Sequence, residues 1–214
     1  MAGLDRYIVD LVRRDDRGRF VTAMFAPEDR RAGLLAVTAF NAEIARIPLS
    51  VSEPILGQMK LQWWRDTLTR LAENGVVPAG HPIAEALRRD LPENLRGQLH
   101  TLVDARDGDF ETDQARVAAE SAPLAELALA VLGVTDTESS HAARHAGLAY
   151  GLALNNAAPG ALEHIAAARA LRGVVDRRSI PVLLWTTLAQ HRVDHGSARL
   201  PVLRLTWNAW RGRY

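Results

Sequence analysis

The sequence predicts an all-α fold, and three observations lead to this prediction. Apolar residues recur along almost the whole chain at the spacing that places them on one helix face. Strict apolar–polar alternation bounded by turn residues, the signature of strands, does not occur. The 214 residues are 48% hydrophobic and 24% charged, which is ordinary for a globular protein with one sizeable core. We therefore expect a single bundle of about ten helices, forming one domain over residues 1–214.

Proline residues set the predicted helix boundaries near the beginning of the chain. Residues 1–16 carry acidic side chains in an amphipathic pattern, which is unlike the apolar core of a secretory signal. Pro27 opens the next long helix, which runs to about Ile47. Pro48 ends it, because proline lacks the amide hydrogen that a continuing helix needs.

The best-marked helix covers residues 52–74. Ser50 and Glu53 have the spacing of a capping box, and Ser52 is an alternative N-cap. Gly75 follows the last turn, where glycine commonly ends a helix. Four large apolar side chains share one broad face of this helix: Ile55, Leu56, Met59 and Trp63.

Further helices are predicted at residues 81–90, 92–107, 113–132, 161–173, 179–193 and 199–211. Thr135 and Glu138 have capping-box spacing before another helix, which ends near Leu154. Residues 155–160, with the sequence NNAAPG, are predicted to form a loop. Gly147 and Gly151 lie inside a helical pattern and indicate close helix contacts.

The amino-acid composition excludes several kinds of partner and binding site. Twenty-six basic against twenty-five acidic residues leave a formal net charge of +1, which argues against nucleic acid as a partner. The absence of cysteine excludes disulfides and thiolate metal sites. The longest apolar stretch, residues 124–134, is interrupted by Glu126 and is too short to span a bilayer. The expected compartment is therefore the cytosol.

Two patterns could hold a metal ion. His141 and His145 are one helical turn apart, as zinc ligands often are, but no third ligand follows at the usual spacing, so structural histidines are favoured. Asp109 and Asp113 have a spacing that could present carboxylates to magnesium, but Gly108 precedes them. A glycine there indicates a helix end, so these acids are expected to cap or solvate the next helix.

Two aromatic regions could contact a ligand or partner. The adjacent Trp63 and Trp64 must point to different sides of their helix, so one enters the core and the other faces a neighbour, a cleft or solvent. Leu200, Leu203, Trp207, Trp210 and Tyr214 form a stripe near the end of the sequence, with Arg199, Arg204, Arg211 and Arg213 beside it. This pattern fits a terminal helix docked on its own bundle, or a partner or membrane surface of Trp207, Trp210, Arg211, Arg213 and Tyr214.

Four sequence blocks together resemble the squalene/phytoene synthase family. They are RFVTAMFAPEDRR at residues 19–31, AFNAEIARI at 39–47, VSEPILG at 51–57 and LQWWRD at 61–66, in the family's order and close to its spacing. Residues 123–133 and the helix containing Gly147 and Gly151 are similar to later blocks of the family. The resemblance implies an isoprenoid-synthase-like helical bundle.

The resemblance also implies what this chain lacks. Catalytic family members join two prenyl diphosphates, using two acidic motifs that hold magnesium against the diphosphates. The expected aspartates of the first motif correspond to Ala45 and Leu49, and no second motif follows Leu154. A tyrosine expected before Pro123 corresponds to Arg116. The second half is also expected to be shorter than the family by about a helix pair.

One branch of the family shares these losses, namely the complex I (NADH:ubiquinone oxidoreductase) assembly factor 6-like branch with its bacterial relatives. The shared features lie at residues 39–41, 51–53, 62–64, 103–106, 141–145 and 210–214. The resemblance implies a non-catalytic protein without cofactor that binds a protein or lipid partner, in the cytoplasm or at the inner membrane. Fold alone does not establish that role.

The sequence leaves two other hypotheses open and does not decide whether the protein is an enzyme. One is a magnesium-dependent prenyltransferase acting on farnesyl or geranylgeranyl diphosphate, with acids from residues 104–113. The other is a shortened family member whose fold outlasts its function. If a cleft survives, the resemblance places it beside Phe40, Glu43, Gln62, Arg65, Asp104 and His145.

Overall fold

The computed structural model describes residues 5–48, 50, 53–196 and 200–214, and within those residues it contains helices and no strands. The α-helices are α1 (Arg6–Asp15), α2 (Arg17–Ala23), α3 (Glu28–Arg46), α4 (Pro54–Asn74), α5 (Pro82–Asp90), α6 (Leu99–Asp107), α7 (Asp113–Val131), α8 (Thr137–Leu154), α9 (Ala158–Ala170), α10 (Ile180–Leu183), α11 (Trp185–His195) and α12 (Val202–Arg211). The predicted all-α fold is confirmed.

More helices occur in the described residues than the sequence predicted, because two predicted segments are divided and the chain before Pro27, for which no helix bounds were predicted, forms both α1 and α2. Asp16 ends α1 and caps α2 by accepting a hydrogen bond from the Arg19 amide. The predicted helix at residues 92–107 begins as a 3₁₀ segment, Glu93–Gln98, before α6. The predicted helix at 179–193 is divided into α10 and α11 at Leu184.

The core runs through the middle of the bundle, where the central turns of α3 and most residues of α8 are buried. α3 packs against α1, α5 and α7, and α8 packs against α7, α9 and α11. Gly147 and Gly151 allow α7 and α8 to meet, since a Cβ at Gly147 would lie 2.6 Å from the Ser121 carbonyl oxygen. The expectation that these glycines mark close helix contacts is confirmed.

The beginning of α4 differs from the predicted one. Glu53 occupies the N-cap position and its side chain makes no capping hydrogen bond, so Ser50 is not the cap. Ser52 lies outside the described residues, as do Leu49 and Arg199. Pro54 lies in the first turn, where it preorganises the backbone. Gly75 ends α4 at a φ of 69°, as predicted.

Two other predicted boundaries are wrong. Asp136, not Thr135, caps α8, and its carboxylate accepts a hydrogen bond from the Ser139 amide at 2.8 Å. Residues 155–160 are not a continuous loop, because α9 begins at Ala158. Pro159 stabilises the first turn of α9 where the sequence pattern had indicated a turn outside a helix.

The last helix is docked on the bundle by one side only. Leu205 is fully buried, and Asn208 Nδ2 donates to Thr187 Oγ1 of α11 at 2.9 Å. After α12 ends, the Tyr214 hydroxyl donates to the Ala168 carbonyl of α9 at 3.2 Å. Among the described residues, no helix combines the length and the apolar composition that crossing a membrane requires.

Candidate functional site

The six residues of the predicted cleft lie in several different surroundings. Phe40 is fully buried, with its ring 4.9 Å from the Trp64 ring, whereas Gln62 is exposed and donates to Asp66 on its own helix. Glu43 lines a surface cavity beside Trp64. The structure thus brings Phe40 and Glu43 close to the same tryptophan but directs Gln62 elsewhere.

Arg65, another residue of the predicted cleft, is paired with acids of α6. Its guanidinium donates to Asp104 at 2.9 Å and to Asp107 at 3.0 Å. Partial burial lowers the pKa of Arg65, but these two hydrogen bonds outweigh it and raise the pKa above its usual value. Asp104 and Asp107 therefore neutralise a guanidinium, which leaves them poorly suited to binding magnesium.

Trp63 and Trp64 lie on different sides of α4, as predicted. Trp64 is buried, whereas Trp63 is exposed and packs beside His81, with 5.1 Å between the ring centroids. The cavity next to them has a volume of about 490 Å³. Its lining residues are Glu43, Arg46, Ile47, Ser50, Lys60, Trp63, Trp64 and His81.

A polar cluster joins α3, α6 and α7 to the residue that follows α8. Arg106 bonds Glu120 at 2.7 Å and Asn41 at 3.0 Å, which links α6 to α7 and α3. Arg116 reaches the same Glu120 carboxylate at 3.3 Å and lies 3.5 Å from Asn155, at the end of α8. We call these five residues the arginine cluster.

The arginine cluster is a poor magnesium site on chemical grounds. Magnesium needs several oxygen ligands around one point, but Glu120 already binds two guanidinium groups that would repel a cation. Burial lowers the pKa of Arg106, and the charge of Glu120 counteracts this effect. Asp113, an acid of the alternative metal site, bonds Arg116 instead. Within the described residues, no three histidine, aspartate or glutamate side chains are grouped so that they could hold a metal ion.

His145 belongs to a histidine pair that the sequence did not reveal. Its Nδ1 atom lies 3.0 Å from Nδ1 of His164 on α9, while His141 is exposed. Burial is the main cause that lowers the pKa of both His145 and His164. The pair holds α8 against α9, which agrees with the structural role favoured from the sequence. The two histidines are 19 residues apart in the sequence, so no local pattern indicated that their side chains would meet.

The exposed side of α12 carries much of the predicted partner or membrane surface. Trp207 is 51% exposed, Trp210 71% and Leu203 87%. The Arg211 guanidinium lies over the Trp207 ring, 4.2 Å from its centroid. We call this surface the α12 face, and it consists of Val202, Leu203, Arg204, Trp207, Trp210, Arg211 and Arg213.

Tyr214 does not belong to the α12 face, contrary to the prediction. It is 1% exposed, and burial raises the pKa of its phenol to about 12. Arg172 lies over its ring, and both Arg169 and Arg172 donate to its carbonyl oxygen. Tyr214 therefore anchors the segment that follows α12.

Comparison with known proteins identifies the family. Residues 12–155 match the model of the squalene/phytoene synthase family, a stretch that includes every member of the arginine cluster. The chain belongs to the squalene/phytoene synthase family.

The chain is similar to proteins named NADH dehydrogenase (ubiquinone) complex I, assembly factor 6. It is 32% identical to the Bos taurus protein over 164 residues, which are 71% of this chain and 48% of that protein. It is 29% identical to the Homo sapiens protein over 160 residues, covering 70% and 47% of the two chains. The chain thus spans about half the length of the curated relatives it matches. No solved structure matches it.

Proposed function

We propose that this chain is a non-catalytic squalene/phytoene synthase-family protein that acts by binding a protein partner during assembly of a respiratory NADH dehydrogenase complex. The proposed loss of catalysis is supported by Ala45 and Leu49, which stand where the resemblance expects metal-binding aspartates, and by the arginine cluster, whose two guanidinium groups already bind Glu120. The proposed assembly role rests on the similarity to the Bos taurus and Homo sapiens proteins named as complex I assembly factor 6.

We place the proposed activity in the cytoplasm, at the surface of the inner membrane. The α12 face supports this location, because aromatic and arginine side chains on one side of an amphipathic helix are typical of interfacial helices. A lipid is then a second partner besides the protein. The protein partner would be a component or an intermediate of the NADH dehydrogenase complex.

One experiment tests the loss of catalysis. The purified chain is incubated with farnesyl or geranylgeranyl diphosphate, with and without magnesium, and released diphosphate is measured. We expect no release above the rate without protein. Magnesium-dependent release above that rate would overturn the proposal in favour of a prenyltransferase.

A second experiment tests the assembly role. The gene is deleted in its source organism, and the assembled NADH dehydrogenase complex is quantified on native gels. We expect the complex to be lost and to return when the unaltered gene is supplied. Normal assembly in the deletion strain would refute the assembly role whatever the outcome of the diphosphate assay.

A further inference from the structure

The α12 face joins a groove whose floor is apolar and whose rim carries arginine. The groove has a volume of about 630 Å³ and lies beside Trp210. Its lining residues are Phe25, Ala26, Pro27, Arg177, Arg178, Ile180, Pro181, Thr206, Ala209 and Trp210. Apolar side chains thus come from α12 and from two distant segments of the chain, so the surface is larger than one helix face.

The body of the protein holds this surface in place. Leu205 is fully buried on the opposite side of α12, and Tyr214 is clamped by Arg169 and Arg172. Because α12 is already folded and docked, binding through its outer face would not require ordering of the helix. Trp207 and Trp210 therefore remain exposed although the helix that carries them is anchored.

The charge of the surface has one sign. Residues 200–214 contain three arginines and no acidic residue. Arg177, exposed at the groove, lies close to Gly212 at the end of α12, so a fourth guanidinium extends the positive rim. Arg178 is the exception, because Asp176 binds its guanidinium. An anionic surface complements this arrangement, whereas a zwitterionic surface gains little from it.

We propose that the α12 face and its groove dock the protein on a bilayer that contains anionic phospholipids. This inference rests on the proposed binding function, of which it names the lipid partner and the surface. Trp207 and Trp210 enter the region between headgroups and acyl chains, where tryptophan side chains are favoured. Arg204, Arg211, Arg213 and Arg177 lie at the level of the lipid phosphates.

Vesicle flotation with the full chain tests the inference. One set of vesicles contains phosphatidylcholine alone, and the other contains phosphatidylcholine with phosphatidylglycerol. We expect binding to the anionic vesicles only, weakened when ionic strength rises from about 0.01 M to about 1 M, because the Debye length shortens from about 30 Å to about 3 Å. Equal binding to both sets would overturn the inference.

Matched variants locate the binding surface. Trp207→Ser with Trp210→Ser is expected to weaken binding to anionic vesicles by about tenfold or more per side chain, since each loses the burial of a large apolar group. Ile55→Ser with Met59→Ser alters exposed apolar residues of α4 and is the control. Both variants change exposed side chains and should melt like the unaltered protein. An equal loss in the control would contradict docking through α12.

The vesicle assay and the gene deletion test separate hypotheses, so either one can be refuted while the other is supported. Specific binding to anionic vesicles together with normal NADH dehydrogenase assembly in the deletion strain would remove the assembly role and leave the docking surface supported. Loss of assembly in the deletion strain, with no vesicle binding by the purified chain, would overturn the docking surface and leave the assembly role supported.

Discussion

Two helices of this protein, α4 and α12, bury one side in the bundle and expose large apolar side chains on the other. On α4 the exposed side consists of Ile55, Leu56, Met59 and Trp63, which we call the α4 face. On α12 it includes Leu203, Trp207 and Trp210. Exposed hydrophobic patches of this kind mark interaction surfaces. The two faces resemble each other in apolar character and differ in their charges.

Charge distinguishes what each face can bind. Glu53, Lys60 and Asp66 are exposed on α4, so acids and a base occur together there. All the charged side chains on the α12 face are arginines. Anionic phospholipids attract the second arrangement and not the first. We therefore propose that both apolar faces bind partners, and that their charges favour an anionic membrane at the α12 face and another partner at the α4 face.

The largest expected effect is on stability, and it concerns the ion pair that links α6, the helix on which α4 packs, to α7. α4 packs on α6, and Arg106 of α6 is bonded to Glu120 in a largely buried pair. Glu120→Ala would leave the Arg106 charge without its partner, so we expect the free energy of unfolding to fall by about 3–5 kcal/mol. Urea denaturation measures this loss. Vesicle binding through α12, assayed below the transition, should stay unchanged if the two faces are independent.

Two further variants show whether this loss comes from an unpaired buried charge. Arg106→Leu combined with Glu120→Leu removes both charges and should recover much of the stability. Arg65→Ala breaks the more exposed pair between α4 and α6, for which we expect a cost of about 0–1 kcal/mol. If Arg65→Ala cost as much as Glu120→Ala, burial would not be what distinguishes the two pairs.

The second prediction compares the two sides of α12. Leu205 is fully buried and Leu203 is 87% exposed, although both lie on the same helix. Leu205→Ala should destabilise the docked helix by about 2–5 kcal/mol, whereas Leu203→Ala should change stability by about 0.5 kcal/mol or less. Hydrogen exchange of the α12 amides measures the difference. Equal protection in both variants would contradict the one-sided docking on which the α12 face depends.

Local sequence patterns predicted much of this fold. Periodicity identified the helices, and Gly75 ends α4 as expected. Adjacent tryptophans on a helix must diverge, so the separation of Trp63 and Trp64 was also predictable. Capping was less certain because Thr135 and Asp136 are neighbouring residues that both suit an N-cap. Only the backbone geometry determined which one capped α8.

The candidate site was less predictable because it depends on contacts between distant residues. The spacing of Arg116 and Glu120 allows an ion pair within one helix, but the contact of Arg106 with Glu120 joins two helices and leaves no local pattern. Tyr214 was assigned to the exposed stripe by helical spacing, but α12 ends at Gly212 with a φ of 63°. Helical spacing has no meaning beyond that residue, and the chain turns Tyr214 inward.

The third prediction tests the charge difference directly. Arg204→Gln with Arg213→Gln should weaken binding to anionic vesicles by about 25-fold, since each arginine near the surface contributes about 1 kcal/mol. Lys60→Gln, on α4, is the matched control and should leave binding unchanged. Quantitative flotation over a series of lipid concentrations gives the ratio. A similar loss from Lys60→Gln would mean that the α4 face also meets the membrane.

The smallest expected effect is a dependence of stability on pH, which arises in the packing of α9 against α8. Tyr214 binds Ala168 of α9, and α9 is held to α8 by His145 and His164. Burial lowers the pKa of both histidines below the usual 6.5. Between these lowered pKa values and about pH 6.5, the unfolded chain therefore binds more protons than the folded one. Stability is fully present above about pH 6.5 and falls as the pH drops through the lowered folded pKa values.

Protonation of both rings would bring two N–H groups together at the 3.0 Å contact, which loosens α9. Exposed His141 and Arg144 add positive charge nearby, and Glu163 opposes it. Hydrogen exchange at about pH 7.5 and about pH 5.5 should show protection falling in α9 and α12 more than in α4, because Tyr214, which follows α12, is bonded to α9. His164→Gln should reduce this difference. If α4 lost as much protection as α12, the two faces would share one support, and their separation in the fold would not hold.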